Sequence, residues 1–185
     1  MGQYQPGRTD NPTARRKESD TRMGIRIIAT GGTIDDLDHD CIEDMPEHHE
    51  SLIPDALEQA CVTADVVVEV LMQKDSRIVT DEDRELMAEA CRRSPEEQIV
   101  LTHGTYSLEH TARYLGPLEI PKAIVLIGAM VPLNKDRSDA LFNLGAGITA
   151  ARLLPHGVYV TMQGKVFGWD NVTKNRNVMR FEALR

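Results

Sequence analysis

The chain has 185 residues, 41% of them hydrophobic and 27% charged, the proportions of one ordinary globular domain rather than two. No apolar run approaches the roughly 20 residues that cross a bilayer. A formal charge of −8 without a basic stripe argues against nucleic-acid and anionic-membrane partners.

Residues 1–22 are polar and mixed in charge, with five bases against three acids and no apolar signal region, and are expected to form a disordered tail. A single domain is expected over 23–185. Its first element is a strand through Ile25, Ile27 and Ile28, which runs into the sharp turn Thr30-Gly31-Gly32-Thr33. The stretch from Ile34 to Glu50 holds eight acids and no Lys or Arg, together with His39, His48 and His49, and reads as a solvated mobile loop. A helical pattern follows through Ile53, Ala56, Leu57, Ala60 and Cys61, then a strand over 65–71. Thr80 is a candidate N-cap, with Asp83 as a capping-box partner, for a helix burying Leu86, Met87, Ala90 and Cys91. A buried strand over 98–102 leads through His103-Gly104-Thr105 to a helix over 107–115. A third apolar strand spans 123–128, and a loop over 129–137 precedes a helix that starts at Ser138 or Asp139 and ends at Leu154. A last strand spans 157–162, and the rest is expected to be a basic, irregular tail.

Strands that alternate with helices throughout point to βαβ units. The expected fold is a three-layer α/β sandwich with a mostly parallel sheet, flavodoxin-like or Rossmann-like. The apolar strands fit a sheet covered on both faces. Of the three cysteines, Cys61 and Cys91 fall on helical patterns as small core residues, and Cys41 lies in the acidic loop. Their spacing matches no metal or redox motif and suits a reducing, cytoplasmic setting.

Ligands of such sheets bind beyond the carboxyl ends of the strands. That rule selects the turns at 30–33, 75–76, 103–105 and after Gly128, where the small hydroxyl residues of the chain gather. The Gly-Gly-Thr turn carries neither the Gly-Lys-Ser/Thr of a P-loop nor a dinucleotide fingerprint, so it reads either as a plain βα turn or as a place where backbone N–H groups approach a ligand. Thr105 reads either as a helix N-cap or as a reactive hydroxyl, which would need a base to take its proton. Lys174 is the candidate base, provided that burial lowers its pKa; otherwise it is a solvated tail residue.

Ala29-Thr30-Gly31-Gly32-Thr33-Ile34 and Thr102-His103-Gly104-Thr105 together resemble the paired signatures of bacterial-type L-asparaginases. Leu71-Met72-Gln73-Lys74-Asp75-Ser76 is similar to that family's substrate-binding serine segment. Leu126-Ile127-Gly128-Ala129-Met130 with Ser138-Asp139-Ala140-Leu141-Phe142-Asn143-Leu144 resembles its central strand and following helix, and Lys174 falls where it has a catalytic lysine. The resemblance implies an amidohydrolase that converts L-asparagine to aspartate and ammonia without metal or cofactor. It implies Thr33 as nucleophile, Thr105 and Lys174 as its activating pair, and substrate contacts from Gly32, Asp75, Ser76, Gly104, Tyr106 and Ala129. Ser76 would hold the α-carboxylate, and N–H groups near Thr105 and Ala129 would hold the oxyanion. A homodimer or higher homo-oligomer is implied as well.

The chain departs from the family pattern at four places. Tyr106 stands where the family has an aspartate for the substrate's α-amino group, and a phenol supplies no negative charge near neutral pH. Either asparagine binds weakly or the substrate lacks a free α-amino group. Arg77 stands where a smaller polar residue is usual, and either clamps a carboxylate or faces solvent. The loop after Thr33 lacks the family's lid tyrosine, and the chain resembles a short, one-domain branch. These departures favour a second reading, a catalytically weak or dead amino-acid sensor, and fold alone leaves open a third, a scaffold for other proteins.

Overall fold

In the central strands, neighbouring residues belong to different layers of the molecule. Ile28 of β1 (Ile25–Ala29), Ile99 and Leu101 of β3 (Gln98–Thr102), and Ile124 and Leu126 of β4 (Ala123–Ile127) join one buried cluster. Ile27, Ala29, Val100, Val125 and Ile127 join the other. The period-two alternation of side chains thus feeds two cores, which is why these strands are apolar at nearly every position. The computed structural model describes residues 24–35 and 50–185. The expected tail over 1–22, Cys41 and residues 36–49 of the acidic stretch lie outside the described residues, while Ile34 and Asp35 at its start are buried in a 3-10 turn.

β1 pairs in parallel with β2 (Val66–Val70) on one side and with β3 on the other. β4 joins β3 to β5 (Gly157–Met162), again in parallel. β6 (Lys165–Gly168) returns antiparallel on β5, giving the order β2-β1-β3-β4-β5-β6. Helices α2 (Asp81–Arg93) and α3 (Leu108–Leu115) cover one face, while α1 (Ile53–Gln59) and α4 (Ala140–Leu153) cover the other. The expected three-layer sandwich is therefore the observed architecture. The strand order reverses direction between β1 and β3, so a crevice opens where the chain leaves those two strands.

Local signals account for most of the boundaries. Thr80 and Asp83 form a complete reciprocal capping box at the start of α2. α3 begins at Leu108 after Ser107, so Thr105 lies outside the helix and is not its N-cap.

Three expectations are overturned. Leu86, expected to be buried, is exposed, because the buried stripe of α2 runs through Arg84, Met87, Ala88 and Cys91 and leaves Leu86 on the outer face. Cys91 is buried as expected, but Cys61 is exposed. α1 ends at Gln59 and the backbone turns left-handed at Cys61 (φ 51°), which swings that residue away from the packed face. The region after residue 162 is not irregular either. It forms β6 and then a hairpin of β7 (Thr173–Asn175) and β8 (Arg180–Glu182). These strands are held by non-local contacts that no local pattern announces: Phe181 and Val172 are buried in the first core, and Phe181 N–H donates to Gln163 Oε1 at 3.0 Å.

Among the described residues no helix is long and apolar enough to cross a membrane, and no group of three or more His, Cys, Asp or Glu could hold a metal ion.

Candidate active site

The ends of β1 and β3 are locked together before either turn begins. Thr30 Oγ1 donates to the Thr102 carbonyl at 2.6 Å, beside the parallel pairing of Ala29 with Thr102. The two turns then come into direct contact. Gly32 has φ +80°, and a Cβ on it would stand 2.3 Å from the Gly104 nitrogen; only glycine fits there. A Cβ on Gly104 would stand 2.3 Å from Ser76 Oγ, so the loop after β2 meets the same point. Thr33 enters a short 3-10 turn over Thr33–Asp35 and is 2% exposed, while Thr105 is 4% exposed. The Gly-Gly and His-Gly turns therefore place both threonines at the crevice.

Ser76 is tied into this junction rather than merely near it. Its Oγ accepts the Tyr106 N–H at 3.2 Å, and its carbonyl accepts the Ser107 hydroxyl. Asp75 accepts the Arg77 N–H at 2.7 Å and forms an ion pair with the Arg77 guanidinium at 2.7 Å. Arg77 thus clamps a carboxylate, but it is the protein's own.

A buried relay braces the second turn. Arg84 Nε donates to Thr111 Oγ1 at 3.2 Å, and Thr111 Oγ1 contacts His103 Nε2 at 2.9 Å. His103 Nδ1 lies 2.8 Å from the Gly104 carbonyl, which can only accept, so Nδ1 carries the proton and Nε2 accepts from Thr111. Complete burial pushes His103 down to about 4, with the Gly104 bond opposing and the Arg84 charge assisting. His103 is thus a neutral brace for the Gly104–Thr105 peptide.

The third turn approaches from the other side. A Cβ on Gly128 would stand 2.6 Å from the His103 carbonyl and 3.0 Å from Thr105 Cγ2. Ala129 follows, fully buried. Asp139 holds this turn by accepting from Met130 N–H at 2.9 Å and Val131 N–H at 3.0 Å. Asn143 Nδ2 donates to the Gly128 carbonyl at 3.0 Å. Asp139 and Asn143 therefore spend their side chains on the loop at the site, and Asp139 makes no side-chain cap of α4.

Lys174 arrives from the hairpin. In the β7–β8 register it stands opposite Phe181, and residues directly opposite share a face of the ribbon, so burial of Phe181 turns Lys174 inward. The ribbon is seated by Trp169, whose ring packs where a Cβ on Gly116 would stand, and by Arg113, which donates to the Val172 carbonyl. Lys174 Nζ ends 2.7 Å from Thr105 Oγ1 across a separation of 69 residues. Burial lowers its pKa, Glu109 acts to raise it, and the charge of Arg176 lowers it again.

Two groups in this arrangement escape the sequence reading. Glu109, on the first turn of α3, is 4% exposed, and its Oε2 has no hydrogen-bond partner among the described residues. Its position four residues after Thr105 was the available signal. Arg176 lies over the Tyr106 ring, with its Cζ 4.1 Å from the ring centroid. Of the expected residues, Gly32, Thr33, Ser76, Gly104, Thr105, Tyr106 and Lys174 are gathered at the β1/β3 crevice. Asp75 joins them through Arg77, and Ala129 through the Gly128 turn.

The chain as a whole has known relatives. The family described as "Asparaginase, N-terminal" matches residues 24–184. The L-asparaginase of Thermococcus kodakarensis is 29% identical over 160 residues, covering 82% of this chain and 48% of that protein. The probable periplasmic L-asparaginase of Haemophilus influenzae is 29% identical over 161 residues, covering 81% of this chain and 46% of its own. The solved structure of the thermostable Thermococcus kodakarensis L-asparaginase superposes with a TM-score of 0.76 at 27% identity, covering 87% of this chain and 51% of that one. The chain thus spans about half the length of the curated relatives it matches.

Proposed function

The chain belongs to the asparaginase family, and on that premise we propose that it is an amidohydrolase acting on the side-chain amide of L-asparagine or a close relative. The observation that carries this reading is the 2.7 Å contact between Lys174 Nζ and Thr105 Oγ1. A threonine hydroxyl is a weak nucleophile until a base takes its proton, and a lysine whose pKa is lowered by burial can be that base.

In this mechanism Thr33 Oγ attacks the amide carbon and forms an ester. The amide nitrogen, after gaining a proton, leaves as ammonia. Water then attacks the ester carbon, releasing the carboxylic acid and returning the hydroxyl to Thr33. Thr105 passes protons between these steps and the neutral amine of Lys174. Backbone N–H groups near Thr105 and Ala129 stabilise the oxyanion, and Ser76 orients the substrate carboxylate. The reading includes a cytoplasmic homodimer or higher homo-oligomer: the free thiols of Cys61 and Cys91 suit a reducing compartment, and a solution mass by light scattering tests the assembly.

Ammonia release from L-asparagine and L-glutamine, with Thr33→Ala as control, tests the reaction. Turnover that disappears in the control is the expected result. A folded protein that releases no ammonia from any amide favours the alternative of an amino-acid-binding, regulatory domain.

A further inference from the structure

Tyr106 is the exposed member of the site. It follows Thr105, its N–H is anchored on Ser76 Oγ, and its side of the crevice is open to solvent at 45% exposure. Arg176, two residues beyond Lys174, spans this rim. Its guanidinium stacks on the ring at 4.1 Å, and its Nη2 donates to the Tyr106 carbonyl at 3.2 Å. Two contacts to one residue hold the cation in place, but neither neutralises it.

The carboxylates nearby are committed elsewhere. Asp75 is paired with Arg77. Glu109 is buried and acts on Lys174. Among the described residues, Arg176 therefore faces no carboxylate, and an arginine remains charged across the physiological range. Among the described residues, the rim next to the two threonines thus carries a fixed positive charge on an aromatic plate with no carboxylate paired to it. A substrate ammonium placed there meets a like charge, whereas a carboxylate meets a planar donor suited to bind it in bidentate fashion.

We propose that Arg176, stacked on Tyr106, makes this site select amides that bear a carboxylate but no free amine, namely monoamides of dicarboxylic acids, in preference to L-asparagine. The proposal rests on the amidohydrolase reading for its chemistry and on the rim geometry for its selectivity.

The first experiment compares kcat/KM for succinamate and L-asparagine in the wild type, Arg176→Gln and Arg176→Lys. The wild type is expected to favour succinamate by about tenfold or more, the scale of one well-placed charge contact. Arg176→Gln should remove most of that preference, chiefly through KM, and Arg176→Lys should retain part of it. A wild-type preference for L-asparagine, or an equal loss on both amides in Arg176→Gln, overturns the proposal. The second experiment needs no catalysis: the Tm of Thr33→Ala is measured with succinate and with L-aspartate. Succinate should stabilise more. Equal, reversed or absent stabilisation overturns the proposal, whereas failure to release ammonia from any amide sinks the amidohydrolase reading instead.

Discussion

Lys174 Nζ and Thr105 Oγ1 stand 2.7 Å apart, although one belongs to the C-terminal hairpin and the other to the turn after β3. Lys174→Met removes the amine while keeping much of the side-chain volume. It is expected to lower kcat by about 10²–10⁴-fold, the usual worth of a positioned general base. Thr105→Ala should match it, and the double variant should be little worse than either, because the two groups act as one unit. Steady-state ammonia release, with circular dichroism to verify the fold, checks all three.

Glu109 supplies the negative charge that opposes desolvation of Lys174. Activity that needs the neutral amine rises with pH as Lys174 loses its proton, and burial places that rise below the ordinary lysine range. Removing the Glu109 charge lowers the Lys174 pKa further. Glu109→Gln should therefore shift the acidic limb of the pH–kcat profile to lower pH. An unmoved limb would separate Glu109 from the lysine.

The contact between the turns sets a steric test. Gly104→Ala drives a Cβ to 2.3 Å from Ser76 Oγ and 2.7 Å from Ser76 Cβ, and should cost about 1–3 kcal/mol in urea unfolding. Ser76→Gly in that background removes the atoms in the way and should restore part of the stability. Gly32→Ala should be worse, because it meets backbone of the other turn and must also hold φ +80°.

His103 makes stability depend on pH. Its folded pKa is depressed from 6.5 to about 4, so the unfolded chain takes up the proton first as pH falls. Its contribution is complete above pH 6.5 and is lost as pH falls toward about 4, a loss of about 3 kcal/mol. Unfolding at pH 7 and pH 5 should show the decline, and an NMR titration should keep the His103 ring neutral at pH 5. A ring that protonates near 6.5 would contradict its role as a buried brace.

The βαβ core was legible because its signals are local or periodic. The apolar runs of β1, β3 and β4, the Thr80–Asp83 capping box and the glycine turns each announce themselves within a few residues. Thr33, Thr105 and Lys174 were singled out through motif resemblance, and the geometry brings Lys174 to Thr105. The hairpin was missed because three-residue strands carry no periodicity, and their order comes from Phe181, Val172 and Gln163, which contact distant parts of the chain. Cys61 was misplaced because a helical pattern does not reveal the left-handed residue that ends it. Glu109 and Arg176 escaped because charged residues ordinarily face solvent, and only the tertiary fold shows one buried and the other stacked.

The seating of Lys174 on the last hairpin has a consequence for biosynthesis. The turns bearing Thr33 and Thr105 follow β1 and β3 and precede the hairpin in the chain, but the amine beside Thr105 depends on Phe181 being buried opposite it. A ribosome-bound chain that has paired β1 with β3 but not yet formed the β7–β8 hairpin would hold both threonines and lack the Lys174 amine beside Thr105.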